Sequence, residues 1–129
     1  MTQVQARIDG VDYAVTLNAG RHAFTADEPQ ARGGQDAGPA PYDLVLAGLG
    51  ACTAMTLRMY AQRKQLPVRS VQVDLRFDKT ATPPHIERVL TIEGDLTPEQ
   101  RARMLEIAEK TPVTLTLKSG TAIHTELRA

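Results

Sequence analysis

Cys52 is the only cysteine among 129 residues, and so the only thiol the chain offers for redox chemistry. It sits in GPAPYDLVLAGLGACTAMTLRMYAQRK, Gly38 to Lys64, where a Pro/Gly-rich approach opens into a long apolar helix pattern. A thiol in that setting is either a small packing hydrophobe or a reactive group. Its helix-face neighbours Gly48, Leu49, Met55 and Thr56 are mostly apolar and disfavour a charged thiolate. The helix macrodipole offers little help about ten residues from the start, since its influence fades after the first turn. Arg58, six positions on, is rotated about 120° away around the helix. Thiolate chemistry at Cys52 therefore needs a cation brought in from elsewhere in the chain or from a partner chain.

The other chemistry-bearing types do not cluster. His22, His85 and His124 have no metal-ligand spacing with one another or with Cys52, so no metal site is expected. Gly33, Gly34 and Gly38 are followed neither by a phosphate-binding lysine nor by the Gly-x-Gly-x-x-Gly order, so no nucleotide cofactor is expected. That segment reads equally as a substrate-facing loop or as a plain connection into the helix.

Composition narrows the classes further. Fifteen basic side chains balance fifteen acidic ones, which gives no field for nucleic acid or an anionic membrane. Tryptophan is absent and aromatics are 4%, too few for base-stacking platforms. One cysteine cannot form an intrachain disulfide framework. The opening MTQVQARIDG lacks a signal-peptide core, and no uninterrupted apolar run approaches roughly 18 residues. The expectation is a soluble cytoplasmic protein of one domain, residues 1–129, with no membrane and no nucleic-acid partner.

The elements that must position Cys52 follow in order. Thr2 to Ile8 and Tyr13 to Leu17 read as short strands around the tight-turn dipeptide Asp9-Gly10, and His22 to Thr25 as a third. Asp27 to Pro41 is broken by prolines and glycines and reads as a loop. Tyr42 to Lys64 is the long helix, entered at Pro41 and stopped by Leu66-Pro67. In Ser70 to Asp78, Val71, Val73, Leu75 and Phe77 alternate with polar residues, the pattern of a half-buried strand, and Ile86 to Glu93 is its partner. Thr97, Pro98 and Gln100 mark a helix start, and the helix should run to about Lys110 and bury Met104, Leu105, Ile107 and Ala108. Val113 to Leu117 and Ala122 to Leu127 read as a closing hairpin around Lys118-Ser119-Gly120.

The long helix is apolar nearly all round, with no charge between Asp43 and Arg58. Such a helix belongs in an interior, and a short monomer has little interior to surround it. A second copy packing its helix against the first supplies the cover. The alternative is one central helix wrapped by a monomeric sheet.

Residues 27 to 64, DEPQARGGQDAGPAPYDLVLAGLGACTAMTLRMYAQRK, resemble the signature segment of the OsmC/Ohr family, the osmotically inducible and organic hydroperoxide resistance proteins. The later pieces VQVDLRFDK, IERVLTIEGDLTPEQRARMLEIAEK and TPVTLTLKSGTAIHTELR follow the family's order of elements. The resemblance implies an α+β, OsmC-like fold. It implies an intertwined homodimer with long central helices packed between antiparallel β-sheets. It also implies a thiol-dependent peroxidase acting on organic hydroperoxides in oxidative stress defence.

Carried over by residue, the resemblance makes Cys52 the peroxidatic cysteine and Arg21, on the third strand, the candidate activating arginine. The family's resolving cysteine opens a Cys-Pro-Val motif, which here reads Thr111-Pro112-Val113. A hydroxyl cannot form a disulfide, so the cycle must be completed by an external thiol. Tyr42, followed by Asp43, stands where the family has a glutamate. The alternative within the same fold is a non-peroxidatic protein that binds an apolar small molecule at the dimer interface, its cysteine merely packing.

Overall fold

The computed structural model describes residues 2–128, which fall into two compact units divided between Ala47 and Gly48. The first holds a three-stranded antiparallel meander of β1 (Val4–Arg7), β2 (Val15–Ala19) and β3 (His22–Ala26). β1 and β2 pair with Arg7 opposite Thr16. The tight turn expected at Asp9-Gly10 is thus a wider loop, in which both Gly10 and Tyr13 take positive φ. The segment after β3 is a loop with a single 3₁₀ turn at Gln30–Arg32.

That loop is wound around Asp27, whose buried carboxylate accepts from the backbone N–H groups of Glu28 (2.7 Å), Gln35 (3.1 Å) and Ala37 (3.2 Å). A short acceptor satisfying several orphan donors is what lets an irregular segment fold tightly. The winding is close enough that a Cβ on Gly38 would meet the Thr25 carbonyl oxygen at 1.9 Å. Only glycine fits there.

α1 (Pro41–Arg63) matches the expected long helix, with Pro41 in its first turn. By length and composition it could cross a bilayer, although the chain has no uninterrupted apolar run of that length. Here Leu49, Thr53, Leu57 and Ala61, four residues apart each, form its buried stripe. α1 is therefore apolar all round but buried along one face only.

In the second unit, β4 (Val68–Asp78) and β5 (His85–Gly94) form an antiparallel pair in the register Val73 opposite Leu90 and Leu75 opposite Arg88. The half-buried positions of β4 alternate as its sequence predicts. A Cβ on Gly50 would stand 2.8 Å from Leu75 Cδ1, so this glycine permits close approach of α1 to β4. α2 (Pro98–Ala108) begins with the expected capping box, in which Thr97 and Gln100 bond each other's backbone N–H. Leu57, Ala61, Val68, Met104 and Ala108 make the core.

Two expectations fail here. Leu105 is exposed, because the inner face of α2 follows the four-residue step from Met104 to Ala108, and Leu105 lies about 100° round from Met104. Val113 to Leu117 is no strand but part of α3 (Pro112–Ser119), and Ala122 to Leu127 joins no sheet, so the closing hairpin is absent. Alternating Val, Thr and Leu mimic a strand, but Pro112 at the first helical position and burial at Thr111 and Thr114, three apart, select the helix.

Candidate functional site

Cys52 lies half-buried near the middle of α1. Around the helix it falls between the buried stripe and a strip formed by Gly48, Met55 and Met59, all exposed. The methionines show 61% and 53% of their surface, well above what a core helix tolerates. The thiol thus borders an apolar face left exposed by the described residues of its own unit.

Arg58 donates to the carbonyls of Val68 (2.8 Å) and Arg69 (3.0 Å). These bonds hold the start of β4, where its register with β5 shifts, against the end of α1. This arginine is occupied with backbone, consistent with its expected poor reach to the thiol. Arg21 is exposed in the turn between β2 and β3, one residue before the strand on which it was expected. It belongs to the first unit and Cys52 to the second. Tyr42 is largely exposed at the start of α1, and Asp43 accepts from the Ala40 N–H at 3.0 Å, closing the helix entry.

Thr111 is fully buried, at 0% exposure. Its hydroxyl lies 2.6 Å from that of Thr114, which also bonds the Ala108 carbonyl at 3.3 Å. Position 111, expected from the resemblance to be the resolving position, is therefore filled by a satisfied hydroxyl pair at the start of α3.

The centre of this cluster is a residue that sequence reading overlooked. Arg88 projects from β5 among Ile86, Leu90 and Ile92, the half-buried parity of that strand, and its side chain is only 12% exposed. Its Nη1 donates to Thr53 Oγ1 (3.0 Å) and Thr114 Oγ1 (2.8 Å), and its Nη2 to the Ala108 carbonyl (3.0 Å). Thr53 in turn donates to the Leu49 carbonyl at 2.7 Å. One guanidinium thus ties α1, β5, the end of α2 and α3 together. An arginine at an inward position of an alternating strand was the signal available in the sequence.

His85, one of the three unclustered histidines, faces the Pro83 carbonyl (3.2 Å) and Glu87 (3.3 Å). The carbonyl first, then the carboxylate, raise its affinity for a proton. Glu87 is held below the ordinary carboxylate range chiefly by Arg76, then by His85.

Residues 33–126 match the family described as OsmC-like protein. The fold is similar to that of an OsmC-like protein from Mycoplasma pneumoniae, at 16% identity and a TM-score of 0.78, over 92% of this chain and 87% of that one. It is similar also to an organic hydroperoxide resistance protein OsmC from Legionella pneumophila (18% identity, TM-score 0.67, 92% and 89% covered). An organic hydroperoxide resistance protein from Elizabethkingia anophelis, with thiocyanate bound, aligns at 18% identity and a TM-score of 0.64 over 90% and 87%. No curated protein matches the chain at a significant level.

Proposed function

The chain belongs to the OsmC-like protein family, and from that premise we propose that it is a single-cysteine peroxidase that reduces organic hydroperoxides through Cys52. The observation that carries this reading is the position of the thiol, half-buried at the edge of an exposed apolar strip within the matched segment. A hydroperoxide with an apolar substituent suits such a strip. Two of the fold's relatives are described as organic hydroperoxide resistance proteins, which supports the same substrate class.

In this reaction the Cys52 thiolate attacks the distal oxygen of R–O–O–H. The O–O bond breaks, the alkoxide takes up a proton and leaves as ROH, and the sulfur becomes a sulfenic acid. Thr111 offers no sulfur. An external thiol therefore displaces water from the sulfenic acid to give a mixed disulfide, and a second thiol molecule releases reduced Cys52 as the external disulfide forms. A cytoplasmic setting supplies such thiols. Arg21 is the proposed source of the positive charge that favours the thiolate.

The working assembly is a homodimer in which a second copy covers Met55 and Met59. The exposed Gly48, the thiol, Met55 and Met59 recur at spacings of four, three and four, the seam spacing of helices packed side by side. The buried hydroxyl pair at Thr111 favours a second reading, in which Cys52 only packs and the interface binds an apolar molecule.

Sub-stoichiometric organic hydroperoxide followed by mass spectrometry tests the proposal. Cys52 should gain one oxygen and then a small-thiol adduct, faster than free cysteine reacts, and Arg21→Ala should slow the step. Oxidation no faster than that of free cysteine discards the peroxidase and leaves the packing role.

A further inference from the structure

Within the second unit, β4, β5, α1, α2 and α3 line an open-sided cavity of about 530 Å³ whose lining does not include Cys52. Much of its wall is apolar, from Leu49, Phe77, Ile86, Leu90, Leu105 and Leu117. Arg88 lines it too. From this arrangement we infer that the cavity is a binding site for a carboxylate-headed amphiphile, its head on Arg88 and its tail along the leucines, distinct from the thiol and independent of its chemistry.

The argument rests on charge. Arg88 is nearly buried and well hydrogen-bonded, but the acceptors within bonding distance, Thr53, Thr114 and Ala108, are all neutral. The nearest carboxylate, Glu109, lies 3.8 Å from Nη2, is half exposed, and is claimed by Lys118. Lys118 first, and Arg88 as a lesser cause, hold the Glu109 carboxyl below the ordinary range. The cavity wall therefore carries two cations, Arg88 and Lys118, against one carboxylate, Glu109, while the charge of a protonated His85 is balanced by its partner Glu87. A buried guanidinium without a full counter-charge is costly, and a bound anion offsets that cost. An excess of one suits a monoanion. A carboxylate supplies that single charge in a compact head joined to an apolar tail. The volume lies within the range of small-molecule sites, and its apolar walls require a ligand with a tail.

Decanoate, below its micelle range, is the probe, followed by calorimetry and by amide shifts of labelled protein. Saturable binding with shifts at Ile86, Leu105 and Leu117 is expected, with decanol at least tenfold weaker. Arg88→Gln should weaken decanoate at least tenfold. Should that variant misfold, Leu117→Trp fills the cavity from an exposed wall without touching the guanidinium, and it should abolish binding. Cys52→Ser should bind decanoate as the parent does, which separates this site from any failure of the peroxidase reading. Equal binding of decanol, tighter binding of decyl phosphate, binding unchanged in folded Arg88→Gln or in Leu117→Trp, loss in Cys52→Ser, or no saturable binding would each overturn the assignment.

Discussion

Position 111, where the family resemblance expects a resolving thiol, carries a buried hydroxyl bonded to its neighbour Thr114. Thr111→Cys tests the proposed cycle directly. If position 111 retains the family's geometry, peroxide should join Cys52 and the introduced thiol, read as a disulfide-linked peptide in a non-reducing digest. The parent protein should instead climb to sulfinic acid as peroxide rises, since nothing within its chain traps the sulfenic acid. An introduced thiol that stays reduced while Cys52 over-oxidises would remove the main support for the site. The neighbouring Thr114 makes a separate point about stability. Thr114→Val keeps the shape but removes the acceptor facing Arg88 and the partner of Thr111. A buried donor left without its partner costs about 1–3 kcal/mol, and a urea titration should show a loss of that size.

Among the elements, α2 is the most locally determined. Thr97→Ala breaks one half of its capping box and should cost about 1 kcal/mol in a denaturant titration. The loop after β3 depends instead on a charged acceptor. Burial pushes the Asp27 carboxyl up, but the N–H groups of Ala37, Glu28 and Gln35 outweigh that effect and hold it below the ordinary aspartate range. The sign follows from the depressed folded value. The contribution is complete above the unfolded carboxylate range and is lost as pH falls through the folded one. Acidification should therefore loosen residues 27–40 selectively, seen as faster amide exchange at Gln35 and Ala37, and Asp27→Asn should flatten that dependence.

At the scale of the whole molecule, the unpaid debt is the exposed strip of α1. Met55 and Met59 stand out from a helix whose opposite stripe, Leu49 to Ala61, is packed. With the proposed second copy seated on this strip, Met55→Lys should turn the dimer into a monomer or an aggregate, because an unpaired charge is buried at the interface. Sedimentation equilibrium distinguishes the cases. A folded monomer of the parent protein at micromolar concentration would sink the dimer.

What the sequence determined by itself is whatever is encoded over a few neighbouring residues. The alternation of β4, the capping box of α2, the proline entry to α1 and the glycine-rich loop were all legible, because each rests on local periodicity or backbone sterics. The segment around Cys52 also carried the family. Tertiary structure decided the rest. Val113 to Leu117 has strand propensity, yet the burial of Thr111 and Thr114 made it a helix, since propensity is worth less than packing. The single buried stripe of α1 was likewise unreadable from a helix apolar on every side. Arg88 was hidden for the plainest reason. Its partners Thr53, Thr114 and Ala108 lie 35, 26 and 20 residues away, and no local pattern announces a contact that only folding creates.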